Sequence, residues 1–141
     1  MSRRAFTTRV FLLVALLAGC GMNGYSTENP DPFCKRLLGA GEPKEVSDWL
    51  NTEVHTLGEM NHQDSQAMAS KVYSAGASHI FAVKIDKYGD NLENTGHLVV
   101  ELPGVEPGRR EVLAWAARIA HEQGFDAYSD VGQQYLYVKL D

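Results

Sequence analysis

The sequence predicts an α+β domain, a two-layer α/β sandwich in which two helices cover one face of an antiparallel sheet. Two segments, 65–75 and 107–123, place apolar residues at helical spacing, and three segments, 79–86, 97–102 and 134–140, alternate with period two. The chain has 141 residues, 44% of them hydrophobic and 22% charged, which is an ordinary composition for one globular domain.

The first part of the chain carries weak signals. Residues 21–32 are rich in Gly, Asn and Pro and have no apolar period, which is typical of a flexible spacer. Pro43 suits the first position of a short helix over 43–50. Residues 53–57 alternate weakly, as expected of a strand.

The middle of the chain has clearer signals. Asp64 is placed to cap the helix over 65–75, and Gly76 is placed to end it. Strands over 79–86 and 97–102 follow, and the turn-rich sequence YGDNLENTG lies between them. We expect these two strands to pair as a hairpin.

The last helix and strand complete the order of elements. The helix over 107–123 ends before Gly124, and a strand over 134–140 follows. If residues 53–57 form the first strand, the order becomes βαββαβ, and this pattern resembles the ferredoxin-like fold. The resemblance implies an architecture and no activity, since one fold hosts many functions.

Period two assigns the strand residues to two faces of the sheet. One face is apolar throughout and is expected to meet the helices; its residues are Phe81, Val83, Ile85, Leu98, Val100, Leu102, Leu136, Val138 and Leu140. The other face is mixed and is expected to meet solvent or a partner; its residues are Ile80, Ala82, Lys84, His97, Val99, Glu101, Tyr135, Tyr137 and Lys139.

The mixed face supplies the candidate binding residues, which are Tyr135, Tyr137, His97, Lys84 and Lys139. A tyrosine offers a large contact area and a hydroxyl group, so tyrosines are common in binding hot spots. The alternative is that these residues are present because strands favour aromatic side chains and because the lysines pair with acidic neighbours.

The N-terminus has the organisation of a secretory signal. Residues 1–9 are cationic through Arg3, Arg4 and Arg9, and residues 10–18 are an uninterrupted apolar run. This run is about half of the ~20 residues that a membrane-spanning helix needs. The sequence LAGC that ends at Cys20 resembles the lipobox of bacterial lipoprotein precursors.

The lipobox resemblance implies that the Cys20 thiol takes a diacylglycerol and that residues 1–19 are removed as a signal peptide. Residues 20–35 would then be a lipid-anchored flexible tether and residues 36–141 a single α+β domain. The expected location is the cell envelope, on the cell or outer membrane, facing the periplasm or the exterior. The alternative is an ordinary Cys20 thiol after conventional cleavage. Cys34 is then either an inert buried thiol or the site of an intermolecular disulfide.

Composition and motifs argue against several functions. From residue 20 onward the chain has 10 basic and 18 acidic side chains, a balance that opposes nucleic-acid binding. The five histidines lack the spacing of a metal site, and no cofactor or nucleophile motif is present. We therefore expect a non-enzymatic module that binds a protein or an envelope component. The alternative is a hydrolase or transferase with a site around His97, Tyr135 and Tyr137.

Overall fold

The computed structural model describes residues 24–141, which form a mixed α+β domain, as predicted. The predicted signal peptide, residues 1–19, and Cys20 lie outside the described residues. The helices are α1 (Asp31–Gly39), α2 (Val46–Trp49), α3 (His62–Ala75) and α4 (Gly108–Glu122). The strands are β1 (Tyr25–Ser26), β2 (Lys44–Glu45), β3 (His55–Leu57), β4 (His79–Val83), β5 (Asp86–Tyr88), β6 (Leu92–Thr95), β7 (His97–Glu101), β8 (Ala127–Tyr128) and β9 (Tyr135–Lys139).

The main sheet has four strands in the order β2-β4-β7-β9, and every neighbouring pair is antiparallel. The predicted pairing of the segments 79–86 and 97–102 is confirmed, since Ile80 lies opposite Val100 in β4 and β7. The connection between them contains a second hairpin, β5 and β6, which joins β3 in a small sheet of its own. A third, two-stranded sheet pairs β1 with β8 in parallel.

The ferredoxin-like order is not confirmed. The segment 53–57, expected as the first strand, contributes β3, which pairs with β6 outside the main sheet. The first strand of the main sheet is instead β2, next to β4. A βαβ unit connects parallel strands. Here the helical connections join antiparallel neighbours instead: β2 to β4, and β7 to β9 through α4.

Helices α3 and α4 begin and end close to the predicted positions, with one change of cap. Asn61, and not Asp64, is the N-cap of α3, and its side chain accepts a hydrogen bond of 2.8 Å from the Asp64 N–H. Gly76 follows the last turn with a φ of 125°, a backbone conformation that favours glycine.

The main core lies between the sheet and the helices α3 and α4. From the sheet it contains Ile80, Ala82, Leu98, Val100, Leu136 and Val138, and from the helices Ala69, Val72, Val112 and Trp115. Each of these strand residues is nearly inaccessible to solvent. This side of the sheet is therefore covered as predicted.

Helix α1 covers the other face of the sheet, and this corrects the two-layer prediction. Cys34 on α1 packs with Val83 and Val99 of the sheet, and all three side chains are buried. Leu37 and Leu38 of the same helix pack against this cluster. The face expected to be open is therefore an interior face, and the sheet lies between two layers of helices.

Strand β4 was assigned to the wrong faces. Phe81 and Val83 pack on the α1 side of the sheet, while Ile80 and Ala82 join the main core. Both sets of side chains are apolar because β4 is buried on both faces, so alternation gave no indication of its orientation. Lys84 then ends the strand with a φ of +50°.

The predicted tether, residues 20–35, includes residues that belong to the folded domain. Tyr25 and Ser26 pair with β8, and α1 begins at Asp31. Apolar side chains at 33, 34, 37 and 38 give the short helix one buried side. Residues 25–35 therefore include elements of the folded domain, which the prediction began at residue 36.

Candidate functional site

A half-open apolar cleft of about 250 Å³ lies between α4 and the edge strand β9. One wall is the second half of α4, another is β9, and a third is the segment 125–128. The lining residues are Leu113, Ala116, Ile119, Ala120, Phe125, Asp126, Ala127, Tyr128, Leu136, Tyr137, Val138 and Lys139. An apolar concave surface with a few polar groups is the usual character of a ligand pocket.

Strand β9 presents a row of backbone groups that are directed away from the sheet. Leu140 donates its N–H to Gly96 at 2.6 Å and Leu102 donates to Gln134 at 2.8 Å, which marks the hydrogen-bonded pairs of β7 and β9. Because hydrogen-bonded and non-hydrogen-bonded pairs alternate along an antiparallel ladder, Tyr135, Tyr137 and Lys139 direct their backbone groups outward.

Side chains occupy both ends of this outward row. The Asp31 carboxylate accepts the Tyr135 N–H at 2.8 Å, and the Gln123 amide donates to the Lys139 carbonyl at 2.7 Å. Between them, Tyr137 lines the cleft, and its N–H and C=O have no backbone partner outside the ladder among residues 24–141. Blocking both ends of an edge strand limits unwanted pairing, and here it leaves the short stretch around Tyr137 open.

Four of the five candidate binding residues, His97, Tyr137, Lys139 and Lys84, lie at one end of the sheet. His97 and Lys139 are register partners, and His97 Nδ1 lies 2.5 Å from the hydroxyl of Tyr137. Burial, and the charges of Lys84 and Lys139, lower the pKa of His97, which favours the neutral imidazole. Burial raises the pKa of Tyr137, which favours the protonated hydroxyl.

Lys84 directly follows Val83, the register partner of His97, so it lies at this end as well, and the fifth candidate lies elsewhere. Tyr135 is at the far end of β9, opposite Glu101. The Lys84 ammonium lies 6.0 Å from the ring centre of Phe33 on α1. Of the five predicted residues, only Tyr137 and Lys139 line the cleft.

The α4 wall and Phe125 were not predicted as site residues. Leu113, Ala116, Ile119 and Ala120 follow helical spacing, which predicts a core face equally well. Phe125 comes directly after Gly124 and its side chain is 52% exposed. The available signal was an aromatic residue directly after the glycine that follows an amphipathic helix.

Metal binding and thiol chemistry have little support among residues 24–141. Among residues 24–141 no three His, Cys, Asp or Glu side chains are arranged to hold a metal ion. Cys34 is fully buried, and burial together with Asp31 raises the pKa of its thiol to about 12. No helix within the described residues is both long enough and apolar enough to cross a membrane.

Comparison with known proteins adds no relative: no protein-family model, curated protein or solved structure matches this chain.

Proposed function

We propose that the chain is a membrane-anchored bacterial lipoprotein of the cell envelope whose α+β domain is a non-enzymatic binding module. The lipobox-like sequence that ends at Cys20 supports the anchor. The cleft between α4 and β9 supports the binding function. Its proposed ligand is an extended segment of a protein partner that places one apolar side chain in the cleft.

The observation that carries this proposal is the open position at Tyr137 beside an apolar cleft. An extended peptide adds to an exposed sheet edge by backbone hydrogen bonds, and pockets beside the edge select its side chains. The Tyr137 N–H and C=O would supply the backbone bonds. Leu136, Val138 and the α4 wall would supply the apolar pocket.

The dimensions of the site restrict the ligand. Asp31 and Gln123 occupy the Tyr135 N–H and the Lys139 C=O, so only a short ligand segment can pair with the backbone groups of β9 that lie between them. An apolar side chain of the size of leucine gains about 1.5–3 kcal/mol when it is fully buried. A charged side chain at the same position would lose its hydration without an ion partner.

Peptide binding to the mature chain, purified from the cells that process it and placed in phospholipid nanodiscs, tests this function. The probes are fluorescent extended hexapeptides that differ only at one central position. We expect binding with central Leu, Ile or Phe and none with central Asp. Hydrogen exchange at the Tyr137 amide should slow when the peptide binds, since the amide gains a hydrogen-bond partner.

Two variants of α4 provide the matched comparison. Ala120→Leu fills the cleft and should abolish peptide binding, whereas Ala114→Leu, on the same helix outside the cleft, should leave it unchanged. Equal binding of peptides with different central residues, or peptide binding by the Ala120→Leu variant, would overturn the assignment of the cleft as the peptide site.

A hydrolase or transferase is the second candidate function, and the contact between His97 and Tyr137 favours it. A neutral imidazole hydrogen-bonded to a hydroxyl can act as a proton-transfer pair. Release of p-nitrophenol from a simple acetate ester measures this activity. Turnover that His97→Ala abolishes would favour the enzyme; turnover at the level of free imidazole in both proteins would reject it.

A further inference from the structure

The point where the chain enters the domain from Cys20 is fixed in the structure. The carbonyl of Gly24 accepts the Ala127 N–H at 3.0 Å, and Nε2 of His121 lies 2.9 Å from the same oxygen. Tyr25 and Ser26 continue in register with β8. Gly24 therefore lies at the C-terminal end of α4, beside the cleft wall that Asp126 and Ala127 form.

Only four peptide units connect Cys20 to Gly24. Fully extended, they reach about 14 Å. A domain of this length has a radius of gyration of roughly 13 Å, which corresponds to a diameter of roughly 35 Å. A link this short keeps the end of the domain that carries Gly24 close to the membrane in which an acylated Cys20 would be anchored.

This end of the domain carries two exposed aromatic side chains. Tyr25 is 60% exposed and Phe125 is 52% exposed. The Lys139 ammonium lies 5.9 Å from the ring centre of Phe125, and the Tyr25 ring packs edge-on against His121 at 5.3 Å. Aromatic rings prefer the headgroup region of a bilayer, and a lysine stem lets its charge reach water.

We propose that this end of the domain is a membrane-contacting surface, in which Tyr25 and Phe125 enter the headgroup region of the bilayer. The proposal rests on the proposed acylation of Cys20. It differs from a flexible tether, which would hold the domain away from the membrane. Because Phe125 also lines the cleft, the contact places the mouth of the cleft at the level of the bilayer. The partner segment is then one close to the membrane surface.

Site-specific fluorescence tests the surface. The mature chain, purified from the cells that process it, is labelled with an environment-sensitive NBD maleimide at Phe125→Cys and incorporated into phosphatidylcholine vesicles. Neutral lipid is chosen because Asp126 and Glu122 lie at the same end, so the contact should not require anionic lipid. Cys34 is buried and should not react with the reagent.

The matched control is Val105→Cys, which is labelled in the same way. Val105 is 73% exposed and precedes the start of α4, whereas Phe125 follows its end. The two positions are thus separated by a helix of 15 residues, or about 22 Å. We expect a blue shift and quenching by bromolipid at 125, and neither effect at 105.

Three outcomes are distinguishable. A blue shift at 125 alone supports the surface. Vesicle flotation without any difference between the two labels overturns the surface and leaves the anchor intact. Loss of flotation in the wild-type chain overturns the acylation of Cys20, and the membrane-contacting surface with it.

Discussion

Replacement of Val99 tests whether α1 covers the second face of the sheet. Val99 is fully buried between its register partners Phe81 and Tyr137 and under Cys34 of α1. Val99→Asp loses about 1.5–3 kcal/mol of apolar burial and adds several kcal/mol for an unpaired buried carboxylate. The sum is comparable to the roughly 5–15 kcal/mol that stabilises a small domain. We therefore expect Val99→Asp to be largely unfolded.

Milder and matched substitutions keep this test measurable by urea unfolding followed by circular dichroism. Val99→Ala removes two methyl groups and should cost about 2 kcal/mol, which leaves a folded protein. Val105→Asp makes the same change as Val99→Asp at a site that is 73% exposed, and it should shift stability by less than about 0.5 kcal/mol. Equal midpoints for Val99→Asp and Val105→Asp would refute the covered face.

Four further predictions concern other contacts. Hydrogen bonds from Arg109 lower the pKa of Asp130 to about 2, below its value near 4 in the unfolded chain. The pair therefore stabilises the fold above about pH 4, and this contribution is lost as the pH falls from about 4 to about 2. Arg109→Met should flatten that part of the acid-unfolding curve. Asp31→Ala removes the acceptor for the N–H groups of residues 134 and 135 and should lower the free energy of unfolding by about 1–3 kcal/mol in urea titrations, with a smaller loss for Asp31→Asn. Cys34 should react with a thiol reagent only after denaturation; rapid reaction of the native chain would contradict its burial. Cys20→Ser should abolish incorporation of a palmitate analogue in cells, because serine lacks the acceptor thiol, and unchanged labelling would exclude the proposed anchor.

Sequence patterns predicted best those elements in which the helical or strand periodicity repeats several times with the same side buried. Helices α3 and α4 have 14 and 15 residues and one polar side each, so helical spacing located them to within about three residues. Strands β7 and β9 were located equally well. Their alternation also assigned the correct residues to the main core, which includes Leu98, Val100, Leu136 and Val138.

Helix α1 was not predicted because its apolar pattern is short and follows residues with the composition of a linker. It has nine residues and includes Pro32, and the residues before it have the composition of a linker. Isolated helices of this length are marginal in water, so α1 depends on tertiary contacts that no local pattern reports. Those contacts are the packing of Cys34, Leu37 and Leu38 and the long-range hydrogen bonds of Asp31 to the start of β9.

The position of α1 also changes which part of the sheet can bind a ligand. With α1 in place, Val83 and Val99 are interior residues, and Tyr137 packs edge-on against Phe33 instead of facing solvent. The face proposed from alternation is therefore occupied by the protein itself. What remains accessible is the edge of β9, where Tyr137 belongs both to the covered face through its ring and to the cleft through its backbone. Tyr137→Phe should for this reason weaken the contact with His97 while preserving peptide binding, because the backbone groups that would pair with a ligand are unchanged.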